Sequence, residues 1–216
     1  MFDEEGFSLA PINFFQLSLD CKELEKPYPS LMKAKGDKYL LPATAALTDE
    51  ENFATLFMGF SSNGIEVLVS IEKPIEKCFY PAITKGDSVE LFFDTRNVKT
   101  SGFNTRFCHH FFFLPEAVED HQLGEITKFR TEDAHELSSS SDLQLKVKSL
   151  PKGYSLEIFI PKQSLHGYDP EQFGQLGFTY RINRYHGEPQ HFSALTAEYQ
   201  IEQQPSLWSS LKLVKK

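Results

Sequence analysis

Gly86-Asp87-Ser88-Val89-Glu90-Leu91-Phe92-Phe93-Asp94 is the stretch that decides the fold. A Lys-Gly-Asp turn opens it, and the residues from Ser88 to Asp94 then alternate as a strand does, with successive side chains on opposite faces. Val89, Leu91 and Phe93 share an apolar face that belongs in a core. Ser88, Glu90, Phe92 and Asp94 share the other, which carries both carboxylates. Asp94 ends the strand and Arg96 follows it, so the pair is either the start of a site or an ion pair at a sheet edge.

The neighbouring segments repeat the pattern. Residues 53–60 and 65–72 flank Ser61-Ser62-Asn63-Gly64, and Asn-Gly between two alternating runs signals a hairpin. Residues 143–148 and 154–160 flank a second turn at 150–153, and 176–185 and 211–214 read as further strands. A strand at 106–114 is closed by Pro115. Residues 115–141 form a long polar connection with one short strand at 125–130, the kind of long loop that often carries function. Residues 7–19 read as one or two strands around Pro11, and short helical turns fit 30–35 and 162–174. Many short strands joined by turn signals predict an all-β, antiparallel, jelly-roll-like β-sandwich with one or two short helices. With no Gly/Ser linker and no internal repeat, residues 1–216 are expected to form a single domain.

Composition narrows the function. The 216 residues include 20 Phe and 8 Tyr but a single Trp, a bias that suits pleated surfaces. The formal charge is −8, and the only basic cluster is Lys212, Lys215 and Lys216 at the C-terminal end. Nucleic acid and anionic membrane surfaces are therefore not expected partners. The apolar runs fall short of the ~20 residues a membrane helix needs. Cys21, Cys78 and Cys108 lie far apart without a CxxC, and the first residues, Met-Phe-Asp-Glu-Glu-Gly, are acidic. Unpaired thiols and no secretory signal predict a cytoplasmic protein.

Three segments in order carry a resemblance: 86–94, then Gly-Tyr-Ser-Leu-Glu-Ile-Phe-Ile-Pro-Lys-Gln-Ser-Leu at 153–165, then Leu-Gly-Phe-Thr-Tyr-Arg-Ile-Asn-Arg at 176–184. The series resembles family 9 carbohydrate-binding modules and the wider DOMON-like group of β-sandwiches. The segments at 94–98 and 106–115 are similar to a signature of a bacterial branch of that fold. The resemblance implies a domain that binds rather than catalyses. It implies a saccharide terminus held between two Trp rings with polar side chains around it, and structural calcium. Here Trp208 is the only Trp, so a Tyr or Phe would supply the other wall.

The candidate ligand-binding residues are Asp94, Arg96, Arg106, His110, Glu157, Arg181, Asn183, Tyr185 and Trp208. All but the aromatic residues are polar side chains on or beside strands, and Arg forks suit carboxylate or polyol oxygens. If their strands pair, they line one polar face; otherwise they form cross-strand ion pairs on a solvated face. The expected partner is a saccharide or another small polar ligand. The alternatives are a protein-interaction scaffold, or an enzyme using Asp94, Arg106 and His110. Cys108 and His109 point to opposite faces of a strand and make no thiol–imidazole pair. Glu90 and Asp94 lie roughly 13 Å apart along the strand, beyond the ~5–10 Å of a glycosidase pair. His109 and His110 likewise point apart and cannot chelate one metal together. Acidic loops at 49–51, 116–120 and 132–136 are the candidates for calcium.

Overall fold

The computed structural model describes residues 17–26, 28–31, 37–47, 49–193 and 199–215. Its strands are β1 (Ser18–Glu23), β2 (Ala54–Ser61), β3 (Gly64–Ile71), β4 (Ser88–Asp94), β5 (Cys108–Val118), β6 (His121–Glu125), β7 (Gln144–Leu150), β8 (Gly153–Pro161), β9 (Gln175–Asn183), β10 (Gln190–His191) and β11 (Ser209–Val214). They follow one hydrogen-bonded path, β6-β5-β4-β9-β11-β1-β2-β3-β8-β7, with β10 on β9. The path folds back on itself as two facing layers, β6-β5-β4-β9 and β2-β3-β8-β7, bridged by β11 and β1. Pairing is antiparallel except at β1, which runs parallel to both neighbours. Helical structure among the described residues is limited to three-residue 3-10 turns such as Ile83–Lys85 and Lys162–Ser164. The readings at 7–16 and 32–35 fall outside the described residues.

Alternation places the core between the layers. Val89, Leu91 and Phe93 of β4 join Phe111 and Phe113 of β5 and Phe178, Tyr180 and Ile182 of β9. In the same cluster are Ile65, Val67, Val69 and Ile71 of β3 and Leu156, Ile158 and Ile160 of β8. Each large side chain removed from water contributes about 1.5–3 kcal/mol. The β2–β3 hairpin turns at Ser62 and Asn63, with Ser61 paired to Gly64. Gly64 takes φ 145°, and a Cβ there would stand 2.2 Å from the Ile160 carbonyl oxygen.

Two expectations need correction. β5 does not stop at Pro115 but runs on to Val118. The ladder to β6 shifts register between Phe113 and Val118, so the missing proline N–H breaks no pairing there. The strand expected at 125–130 is instead β6, one tight hairpin after β5. Its turn is made by Glu119 and Asp120 at φ 48° and 67°, without the Gly or Asn that usually signals such a turn.

The outer faces are also covered. Ile201 and Trp208 pack on Phe92 and Cys108, while Ile83 packs on Phe112 and Leu114. Leu24, Leu31 and Tyr39 pack on Leu68 of the other layer. Consequently every residue of β4 is buried, including the polar face read from the sequence.

Candidate functional site

Glu90 lies mid-strand on the outward face of β4, directly across from Arg181 on β9 and Phe112 on β5. That register delivers a carboxylate to a guanidinium. Arg181 donates from Nε to Glu90 Oε1 at 2.6 Å and from Nη2 to Oε2 at 2.9 Å, a two-point grip. Asn183 Nδ2 donates to Glu90 Oε1 at 2.7 Å and to Ser88 Oγ at 2.9 Å. His110 Nε2 meets Glu90 Oε2 at 2.7 Å, and its ring stacks on Phe92 at 4.2 Å. Glu90 is fully buried, and Arg181, Asn183 and His110 are buried around it, at 6%, 4% and 7% exposure. Burial by itself would raise the Glu90 pKa. The hydrogen bonds from His110 and Arg181 outweigh it and hold the carboxyl at about 2.

The rim of this cluster is built by the Gly-Asp pair. Asp87 Oδ2 accepts main-chain N–H bonds from Glu76 at 2.6 Å and Lys77 at 2.8 Å, and Oδ1 accepts from Tyr185 at 3.1 Å. Residue 86 is glycine because a Cβ would lie 2.3 Å from the Lys77 carbonyl oxygen. One carboxylate thus ties the 75–77 segment and Tyr185 to the start of β4. Tyr185 follows Asn183 past the strand end and keeps 37% of its surface exposed. Its ring lies 5.7 Å from Phe79 and 4.1 Å from His186, with Lys77 Nζ 5.6 Å from its centre. A polar cluster with an aromatic rim is an arrangement that suits a small polyol.

Of the residues singled out in the sequence, His110, Arg181 and Asn183 converge on Glu90, and Tyr185 stands at their edge. The others do not join them. Asp94 is a turn-forming carboxylate whose oxygens accept from the Arg96 and Val98 N–H groups at 2.9 and 2.6 Å. Burial raises its pKa despite those bonds. Arg96 lies over the rings of Phe173 and Phe107, at 3.6 and 4.6 Å, and donates to the Thr95 and Gly167 carbonyls. Arg106 pairs with Asp133 at the surface. Glu157 belongs to the other layer, where Lys148 donates to it at 2.8 Å. Trp208 is only 2% exposed, and its Nε1 donates to the Ile201 carbonyl at 2.7 Å, so it is an outer-face core residue rather than a platform. Asp94, Arg106 and His110 therefore have separate partners, and the enzyme grouping is not assembled.

Carboxylates of two of the acidic loops are committed elsewhere. Glu50 meets His191 Nδ1 at 2.6 Å, Glu51 pairs with Lys73 and Arg184, and Asp133 with Arg106. Among the described residues none of these loops gathers a trio of His, Cys or carboxylate ligands by itself. The trio that does form, His109 with Glu125 and His135, was not foreseen as a group. An open cleft of about 750 Å³ lies at the end of β8 against Phe159, Lys162, Gln163 and Tyr168.

Solved structures share this architecture. A family 9 carbohydrate-binding module from Caldicellulosiruptor kristjanssonii, in complex with cellotriose, superposes with a TM-score of 0.61 over 92% of this chain and 94% of that one, at 16% identity. The fold is that of the family 9 carbohydrate-binding modules. Another such module from the same organism, in complex with glucose, gives 0.56 over 76% of this chain and 77% of that one, at 19% identity. A Bacteroides uniformis protein proposed to bind carbohydrate gives 0.52 over 92% and 99% of the two chains, at 8% identity. No protein-family model matches the sequence, and no curated protein matches it. Within the family 9 fold, this chain places its buried acid–arginine pair on the outer face of β4 and β9 and its sole Trp under a strap.

Proposed function

We propose that the chain is a non-catalytic binding module for a saccharide, received on the Glu90–His110–Arg181–Asn183 face with Tyr185 and Phe79 as the aromatic wall. The observation that carries this reading is a rigid, buried acid–arginine cluster beside an exposed tyrosine, on a fold whose solved examples include cellotriose and glucose complexes. Arg181 and Asn183 are locked by Glu90, which holds the strand end leading to Tyr185 in place. Tyr185 and Phe79 offer apolar faces to the C–H side of a pyranose. Residues 1–216 act as one module in this reading. A reducing cytoplasmic setting fits the free thiols of Cys21 and Cys108, which burial pushes up to about 12.

Titration calorimetry with glucose, cellotriose and other neutral oligosaccharides tests the reading. At least one sugar should bind the wild type. Tyr185→Ala should weaken it at least ~10-fold, the loss of one aromatic contact, with the melting temperature nearly unchanged. No heat with any sugar, or equal affinity in Tyr185→Ala, would sink it.

A further inference from the structure

We infer that His109, Glu125 and His135 form a divalent transition-metal site of the zinc type, which fastens the connection after β6 to the open end of the sandwich. The site is separate from the saccharide face and does not depend on it. His109 and His110 are adjacent on β5 and point to opposite sides of its sheet. His109 takes the inward side with Phe111, Glu125 ends β6, and His135 comes from the long connection.

One ligand atom from each residue lies within 4.8 Å of the others. The three side chains are 1%, 0% and 4% exposed, which is rare for so many polar groups without a shared purpose. Glu125 Oε1 is crowded by His109 Nδ1 at 2.9 Å, His135 Nε2 at 2.8 Å and Thr127 Oγ at 2.7 Å. A carboxylate oxygen offers about two lone pairs for these three neighbours.

Tautomers sharpen the case. His135 Nδ1 lies 2.7 Å from the Arg106 carbonyl and must carry a proton to donate there. In the neutral ring, Nε2 then turns a lone pair on the carboxylate, which is repulsive unless a cation sits between them. His109 shows the converse problem. With its Nδ1 proton given to Glu125, its buried Nε2 has no hydrogen-bond partner.

Two imidazoles and one carboxylate suit zinc and its neighbours better than calcium or magnesium, which prefer oxygen. A tetrahedral ion with bonds of ~2.0–2.1 Å spaces its ligands about 3.3 Å apart, so each histidine need move off Glu125 Oε1 by only ~0.5 Å, while the two ring nitrogens already lie within 4.8 Å of each other. The outer support is present: the Arg106 carbonyl orients His135, and the Ser138 N–H donates to Glu125 Oε2 at 2.8 Å. Ser138 Oγ also donates to the Ser164 carbonyl at 2.9 Å, tying the connection to the turn after β8. The fourth position is left to a water.

The test uses the full chain, freed of any histidine tag and stripped with chelator. Cobalt(II) should bind one per chain with tetrahedral visible absorption and be displaced by zinc. Zinc at a hundred times its dissociation constant should raise the melting temperature by roughly 5–10 °C. His135→Ala should weaken zinc at least ~100-fold, while His121→Ala, an exposed histidine on β6, should not. X-ray absorption of the zinc-loaded wild type should report two imidazoles and a carboxylate. No cobalt spectrum and no zinc shift in the wild type would overturn the site. So would a zinc shell of different donors, or undiminished zinc affinity in His135→Ala.

Discussion

Glu90→Ala is expected to destabilise the fold by about 3–5 kcal/mol, a fall in melting temperature of roughly 10–15 °C for a chain of this size. The cost is not the lost contact alone. Removing the carboxylate leaves the buried Arg181 guanidinium only Glu202, 3.8 Å from its Nη1, as a charge partner, and takes acceptors from Asn183 Nδ2 and His110 Nε2. Replacing both charges together, Glu90→Leu with Arg181→Met, should cost clearly less, because no charge remains stranded. Chemical denaturation of the three proteins gives the comparison. Acid supplies the same test without truncation. The Glu90 pKa is depressed to about 2 in the folded chain from an ordinary 4.5. Its stabilisation is therefore fully present above about pH 4.5 and is lost as pH falls toward 2, an effect of roughly 3 kcal/mol. Glu90→Gln should flatten that part of the acid limb; a limb unchanged from wild type would show that Glu90 is not held as described.

Trp208→Ala should also be costly, by about 3–5 kcal/mol, yet should leave the saccharide affinity of the folded fraction within ~2-fold of wild type. The indole is buried with Phe92, Cys108 and Ile201, 5.8 Å from the Phe92 ring, and its N–H is satisfied internally. Loss of the ring leaves a cavity under the strap that covers β4. A sugar platform would give the opposite pair of results: little change in stability and a large loss of affinity. Trp208→Phe, which retains most of the volume, should recover much of the stability.

The alternating strands were legible because an inward apolar face obeys a period of two, and β2, β3, β4, β7 and β8 all do. What alternation could not reveal is the cover on the outer faces. Glu66, Glu90 and Glu157 look like solvent-facing residues, yet they are 1%, 0% and 3% exposed. The covering segments lie far away in sequence: residues 199–208 close over β4, and Leu24, Leu31 and Tyr39 over β3. Glu66, for example, is filled by the Ser30 and Leu31 N–H groups. Site assembly failed to show for the same reason. Glu90 and Arg181 are 91 positions apart and meet only through the β4–β9 register. His110, Arg181 and Asn183 could be named from their placement on strands, but Glu157, on an identical pattern, belongs to the other layer. Glu125 and His135 carried no spacing that marks a metal site, because the turn at Glu119 and Asp120 brings β6 back where the sequence reads as loop.

The most direct measurement is a nitrogen-15 NMR titration with the saccharide that binds most tightly, following the Arg181 Nε–H, the Asn183 side-chain amide and the Tyr185 main-chain N–H. Binding at the outer face of β4 and β9 predicts that these three signals shift together and saturate, while Lys162, Gln163 and Gly167 in the cleft beyond β8 stay in place. Shifts confined to that cleft, or none at saturating sugar, would contradict the assignment of this face as the binding site.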